Sequence, residues 1–349
     1  MIEIDGSTHS GSGTLLRYAV ALATLVGQPL HMFHIRARRD KPGLRAQHRE
    51  ALRACAQLSR GRLEGDEIGS GEITYLPGSV VQGDNFTWDI GTAGSTAMLA
   101  FTLIPIGLFA GASCCFSIIG GLFQDFAPSA FHMQKVLLPV LRRMGAEVGL
   151  EVVRPGYVPE GQGQLAVRVK SISGPLEAVR MLDQGKVKAI RGISLASHLE
   201  KEKVSERMAE RCRQALEQHG YSAAIQILQD DTAVQKGAAL TLWAETDTGC
   251  FLGADRAGKR GRRSENIARY VADSLLEDLS TGASTDRHLA DQLILFAALA
   301  RGRTEYLIPG ITDHVRSNLW LVNKILGAKT ELEGNLLRIE GIGFYPSRT

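Results

Sequence analysis

The 349-residue chain has no paired-cysteine motif, no nucleotide-binding glycine fingerprint and few aromatic side chains. Its five cysteines (Cys55, Cys114, Cys115, Cys212, Cys250) are odd in number, and none forms a CxxC pair. That argues against a disulfide framework or a structural zinc site and suits a reducing, cytoplasmic compartment. Neither GxxxxGK[ST] nor GxGxxG occurs, which excludes a Walker loop and a dinucleotide fingerprint. Aromatics are 6% of residues, too few to suggest a base-stacking platform. The opening MIEIDG is acidic and poor in apolar residues, so no signal peptide is expected. Charge is missing from Ile90 to Gln124, a run long enough to cross a membrane. Pro105, Gly107, Gly111, Gly120 and Gly121 interrupt it, and no Lys or Arg flanks it. A buried helix over about residues 93–110, then a buried strand CCFSII, accounts for it without a membrane.

What is present is ordinary globular material, 44% hydrophobic and 22% charged. The length predicts two domains or one internally repeated domain. Net charge is only +3 but unevenly spread. Arg36, Arg38, Arg39, Lys41, Arg45, Arg49 and Arg53 crowd residues 36–53 against Asp40 and Glu50. DRAGKRGRR at 255–263 forms a second basic cluster. Such patches on a near-neutral chain point to an anionic ligand, or else to a solvated charged face.

Three stretches repeat one order of elements. AVALATLVG, LHMFHIR, LRAQHREALRACAQLSRG, RLEGDEIG and EITYLPG read as helix, strand, helix, strand, strand. AMLAFTLIPIGLFAG, CCFSIIGG, PSAFHMQKVLLPVLRRMG, AEVGLEVVRPG and GQLAVRVK repeat it, as do LADQLILFAALARG, TEYLIPG, HVRSNLWLVNKILG, AKTELEG and LLRIEG. Each second helix ends at a Gly able to serve as a C-cap. The copies lie roughly 80–90 residues apart, with the third displaced by about 100 more. The expected fold is α+β: three repeated βαβαββ units forming a large domain (1–182 and 284–349). A smaller inserted α/β domain (183–283) precedes the third unit. In the insert, KVKAIRGISLA, AAIQILQ and AALTLWAE read as strands. KEKVSERMAERCRQALEQHG reads as a helix with Val204, Met208, Cys212 and Leu216 on one face, and ENIARYVADSLLEDL as another.

Four segments could carry chemistry. IEIDGSTHSGSGTLLRY reads as strand, small-residue loop, helix, a place where backbone amides attract anions or where the chain merely turns. Arg17 follows on the helix. HIRARRDKPGLRAQHREALRAC sets arginines beside a helix whose stripe is Leu44, His48, Leu52 and Cys55, with Gln47 at its edge. Guanidinium groups from one short stretch suit a polyphosphate, whereas a His on an apolar stripe also suits a plain core. Asp291 and Gln292 open an apolar helix, where an acid stabilises the N-terminus without any ligand. His314 sits in a first turn after Thr312 and Asp313. There the helix field disfavours imidazolium and leaves a neutral imidazole, which is either an ordinary polar start or a nucleophile.

IDG…GSGTLLR at 4–17, IRARRDKPGLRAQH at 35–48, IGTAGST at 90–96, HLADQL at 288–293 and ITDHVRSN at 311–318 occur in this order. Together they resemble the RNA 3′-terminal phosphate cyclase family, across the whole chain. The resemblance implies that a His attacks the α-phosphate of ATP and carries AMP. AMP then passes to an RNA 3′-phosphate, and the neighbouring 2′-hydroxyl displaces it to give a 2′,3′-cyclic phosphate. It implies ATP with Mg2+ or Mn2+, an RNA ending in 3′-phosphate, and no membrane; oligomeric state is left open. By the resemblance His314 matches the adenylated His. Arg17, Arg36, Arg39, Gln47 and His48 match nucleotide and phosphate contacts, and Asp291 and Gln292 match residues beside the catalytic His.

Departures accompany it. The family loop reads GEGGGQ, where the Glu helps hold metal; here Ser10 stands in place of that Glu and Thr14 in place of the Gln. Phe101 replaces a polar residue expected near the nucleotide. Metal ligands are therefore unassigned. The alternatives are a non-catalytic cyclase-like protein of ribosome assembly, a nucleotidyl transferase of altered substrate, and, more distantly, an enolpyruvyl transferase. Retention of His314 and the arginines argues against the first, and the last leaves KPGL-x-x-QH without a role.

Overall fold

Ile2 and Ile4 alternate with exposed Glu3 in β1 (Ile2–Asp5), the period-two pattern of a half-buried strand. The computed structural model describes residues 1–78, 83–125 and 127–346. After β1 come α1 (Gly13–Val26), β2 (Leu30–Phe33), α2 (Ala46–Ser59), β3 (Arg62–Glu64) and β4 (Ile73–Leu76). From Leu15 to Leu25 every residue of α1 is buried, so this helix is core rather than covering. Next are β5 (Asn85–Asp89), α3 (Thr96–Leu108) and β6 (Cys114–Gly120). Then α4 (Ala130–His132) runs through a π turn (Met133–Leu137) into α5 (Leu138–Arg143), followed by β7 (Val148–Arg154) and β8 (Gly163–Val169). The π turn falls just before Pro139, whose ring and missing N–H would break a regular ladder.

The short β9 (Arg180–Met181) precedes β10 (Val187–Ser197), α6 (Val204–Glu217), β11 (Ala223–Asp230), β12 (Gly237–Thr246), β13 (Phe251–Ala257) and α7 (Ser264–Ser280). The chain ends with α8 (Leu289–Leu299), β14 (Arg301–Leu307), α9 (Asp313–Leu326), β15 (Lys329–Glu333) and β16 (Leu336–Ile342). The architecture is thus α+β with, among the described residues, four four-stranded sheets: β1-β2-β4-β3, β5-β6-β8-β7, β9-β14-β16-β15 and β11-β10-β12-β13. In each, one edge pair is parallel and the remaining pairs are antiparallel.

Some expectations need correction. Strand LHMFHIR stops at Phe33, because His34 and Arg36 take positive φ (51° and 54°) and turn the chain. The first of the second helices is closed by Arg60 in the left-handed region (φ 54°), not by Gly61, whose Cβ would lie 2.6 Å from Leu76 O. The two-residue β9, which the sequence did not announce, pairs with β14 at the edge of the third unit's sheet. FLGADRA was hidden by its charges; it is β13, and Asp255 and Arg256 of the basic cluster lie on it. The charge-free stretch is α3 and β6, and no helix among the described residues is long and apolar enough to cross a membrane.

Helix α1 packs on α2, α3 and α9, and α9 packs on α8. Phe101 of α3 is sealed in this layer, 5.1 Å from the Tyr18 ring and 5.6 Å from that of Phe296. At the α2 end, a non-glycine left-handed residue carries a penalty of about 1–2 kcal/mol, partly offset by the extra unfolded-state freedom of Gly. Arg60→Gly should therefore raise unfolding stability by about 0.5–1 kcal/mol in a urea titration, since the Arg60 side chain is exposed to solvent.

Candidate functional site

The starts of α1, α2, α8 and α9 converge, and short polar links hold them together. Asp5 Oδ1 accepts from Ser7 N (2.9 Å) and Ser7 Oγ (2.7 Å), which shapes the loop ahead of α1. Ser12 caps α1 by accepting from Thr14 N. Gly13 is required here, because a Cβ would lie 2.0 Å from Nε2 of His48 in the first turn of α2. Ser10 N donates to Ser317 Oγ of α9 at 3.1 Å; Ser317 Oγ lies 2.9 Å from Ser10 Oγ, which is 3.0 Å from Ser12 Oγ. His9 packs its ring 5.3 Å from Trp320, a second link between the loop and α9. Asn318 Nδ2 donates to Asp291 O at 3.1 Å and ties α9 to α8.

His314 stands in the first turn of α9, capped by Thr312 Oγ1 accepting from Val315 N at 3.1 Å. Its Nδ1 is buried without a partner. Burial, then the charges of Arg17 and Arg39, push its imidazole below the ordinary histidine range, so it is neutral at pH 7. Arg17 is 6% exposed, its Nε has no partner, and Nη2 reaches Thr14 Oγ1 at 3.4 Å. Burial lowers its pKa to about 10, which still leaves it charged at neutral pH. A buried cation with so little company at helix starts is suited to accept an anion.

His48 is buried, and its Nδ1 accepts from Arg45 N at 3.3 Å, so Nε2 carries the proton. Burial and then Arg17 hold it well below its ordinary value, hence neutral. Asp291 opens α8; burial, then the charge of Asp286, raise its carboxyl to about 7. Gln292 is buried with Oε1 unpartnered, as is Oδ1 of Asn318.

The other expected residues have different placements. Arg36 Nη1 donates to the carbonyls of Lys41 (2.7 Å) and Gly43 (2.8 Å), holding the KPG loop. Arg39 is exposed at that loop and reaches His314 through its field. Gln47 Oε1 accepts from Ser95 N at 2.9 Å, which joins α2 to the cap of α3. In the second basic cluster, Arg262 is bidentate to Asp125 (2.6 and 2.7 Å) and Arg256 lies 3.2 Å from it, leaving Lys259, Arg260 and Arg263 as the solvent-facing cations of the run.

Sequence reasoning missed Ser317, Asn318 and Tyr18. Ser317 and Asn318 follow His314 by three and four positions, the helical spacing that places them on its face. Among the described residues no group of three or more His, Cys, Asp or Glu could hold a metal ion. At position 10 the donor set is hydroxyls, committed to Ser12 and Ser317. The residues present therefore do not fit a divalent cation held by the protein at this loop.

Fold and site define an α+β protein that holds a neutral imidazole and a buried guanidinium among helix starts, an arrangement suited to an anion. A family model described as RNA 3′-terminal phosphate cyclase matches residues 8–332. An RNA 3′-terminal phosphate cyclase of Archaeoglobus fulgidus is 39% identical over 342 residues, covering 97% of this chain and 100% of the relative. Relatives of the same name from Pyrobaculum neutrophilum (36% over 347 residues, 98% and 99% covered) and Methylococcus capsulatus (36% over 355 residues, 98% and 97% covered) are similar along their whole lengths. The chain belongs to the RNA 3′-terminal phosphate cyclase family of enzymes.

Asp291 supplies a pH test. Below about pH 7 its carboxyl is neutral, and above it a negative charge faces the anion site. Sulfate, whose charge is constant near neutrality, should stabilise the protein less as pH rises through this range. In Asp291→Asn that dependence should vanish, as read by thermal shift against sulfate concentration.

Proposed function

We propose that this chain uses ATP to convert an RNA 3′-terminal phosphate into a 2′,3′-cyclic phosphate, through AMP carried on His314. The observation that carries it is His314 itself: a neutral imidazole with an unpartnered ring nitrogen, in a capped first turn beside unpaired Arg17. In the first step an imidazole nitrogen bonds to the α-phosphorus, the bond to the β-phosphate oxygen breaks, and pyrophosphate leaves. In the second, an oxygen of the RNA 3′-phosphate displaces His314 from the AMP phosphorus and regenerates the imidazole. In the third, the 2′-oxygen bonds to the terminal phosphorus, AMP departs, and the hydroxyl proton passes to solvent.

The chain's own groups serve these steps by position and charge. Arg17 and the starts of α1 and α9 offset the charge that develops on phosphate oxygens. The Ser10–Ser317 link holds the loop against the His314 helix, keeping donor and acceptor in register. Any Mg2+ or Mn2+ arrives on the phosphates of ATP as part of the co-substrate. We assign residues 1–182 and 284–349 to the catalytic domain, with 347–349 outside the described residues, and 183–283 to an inserted domain. The cytoplasm, where ATP and RNA meet in a reducing medium, suits the free cysteines.

The protein incubated with α-labelled ATP should acquire acid-labile label, and His314→Ala should acquire none. RNA ending in 3′-phosphate should become resistant to phosphatase with wild type only. Undiminished labelling of His314→Ala would overturn the assignment. For the basic cluster, charge reversal at Lys259, Arg260 and Arg263 should weaken RNA binding and flatten its salt dependence, by about one counter-ion for each RNA phosphate no longer neutralised. Unchanged affinity across a salt series would remove the cluster from the RNA path.

A further inference from the structure

Behind the site lies a buried carboxylate that the reaction scheme leaves unused. Asp286 and His132 are both 0% exposed. Asp286 Oδ1 accepts from the backbone N–H of His288 (2.7 Å) and Leu289 (2.8 Å). Its Oδ2 accepts from Gly253 N (2.7 Å) and lies 3.1 Å from His132 Nε2. Four donors from α4, β13 and the start of α8 thus converge on one carboxylate. Gly253 permits this approach, since a Cβ there would lie 2.6 Å from Val136 Cγ2 and 3.0 Å from His132 Cδ2. His132 is itself fixed, donating its backbone N–H to Ser129 Oγ (3.1 Å), while Ser129 N donates to Asp255 Oδ2 (2.5 Å).

We propose that Asp286 and His132 are positioning residues of the reaction: Asp286 holds the first turn of α8, and with it Asp291 and Gln292, while His132 is its counter-ion. This rests on the reading of Asp291 as part of the nucleotide site. The rings of His132 and His288 meet edge to face at 5.5 Å, and two touching imidazoles do not both hold a proton cheaply. Burial opposes charge on His132, but Asp286 overrides it and raises its pKa; His288, buried beside that cation, is held neutral. The pair then acts on Asp291 with opposite signs, Asp286 favouring its protonated form and His132 its ionised form, and Asp286 is the stronger.

Other charged or titratable groups that feel Asp291 are Arg17 and Tyr18 from α1 and Tyr306 from β14, while His314 of α9 feels His288 ahead of α8. Asp255 of β13 and Asp278 of α7 act on the His132–His288 pair. Lys135 of the adjoining π turn lies over Trp243 instead, and Arg338 of β16 pairs with glutamates on the outer face of its sheet.

The test follows the Asp291 carboxyl by 13C NMR titration of the full-length protein, its resonance assigned by loss in Asp291→Asn. In His132→Gln, Asp286 keeps three backbone donors and stays ionised, so the Asp291 midpoint should move to higher pH. In Asp286→Asn, His132 loses its proton together with the carboxylate. The stronger charge is gone, so the midpoint should move to lower pH, by less. Sulfate binding at pH 7 should strengthen in the first variant and weaken in the second. A purely structural pair would lower thermal stability in both without opposite titration shifts. Midpoints that stay put or move together overturn the proposal, and if Asp286→Asn does not fold, the absence of an upward shift in His132→Gln does so alone. Failure of ATP labelling at His314 would instead strike the proposed nucleotide chemistry and leave these midpoints standing.

Discussion

A guanidinium buried with no ion pair among the described residues sets the terms for the rest of this structure. Taking Arg17 out of water costs several kcal/mol, and its position in the first turns of α1 adds the positive end of a helix to the penalty. Nothing nearby offsets that cost directly: Thr14 gives one long hydrogen bond, and the acid that acts on it, Asp291, is half neutral at pH 7. The scaffold therefore has to supply the stability elsewhere. It does so in the fully buried run from Leu15 to Leu25 of the same helix and in the aromatic contacts of Tyr18 with Phe101 and of Phe101 with Phe296. Phe101 belongs to that support rather than to the ligand surface, which explains an apolar residue where a polar one was expected.

The same positive field adds to what burial does to the histidines. His48 is buried and His314 half-buried at helix starts, and both feel Arg17, so burial first and the guanidinium second drive each to its neutral form. An imidazole must be unprotonated to attack phosphorus, so on the proposed mechanism burial and the field that would draw an anion also suit the nucleophile. Asp291 responds in the opposite sense, because burial and Asp286 outweigh the pull of Arg17. Its partial neutrality keeps the cationic field uncancelled, and Asp286, fixed from three directions, maintains it.

Local pattern made most helices and strands legible, since period 3.6 and period 2 are properties of neighbouring residues. What escaped the sequence depends on partners far away. β9 is two residues long and exists only because β14 pairs with it. β13 carries Asp255 and Arg256 in a strand because Ser129 N meets one and Asp125 the other. The basic run at 255–263 read as one patch, yet Asp125 neutralises part of it from the turn between β6 and α4. At the site, motif residues such as His48 and His314 announced themselves by type. Ser317 did not, because its importance lies in a contact with Ser10, 307 positions away. His132 lay in a segment that reads as plain core helix, and only the fold sets it against Asp286.

Ser10 then acquires a physical meaning beyond that of a missing acid. A carboxylate at that position would stand beside Ser317, one helical turn from His314, and within the field of Arg17. It would raise the imidazole pKa toward its charged form and partly cancel the guanidinium, weakening both features on which the site depends. A hydroxyl keeps the link between loop and α9 without adding charge, since Ser10 N still donates to Ser317 Oγ and its Oγ still lies within bonding distance of Ser12. With a hydroxyl at position 10, the loop adds no charge there, and on the proposed reading the negative charge that balances Arg17 is left to the ligand's own phosphates. A serine then shifts charge balance from the protein toward the substrate proposed for it, and leaves the His314 imidazole neutral.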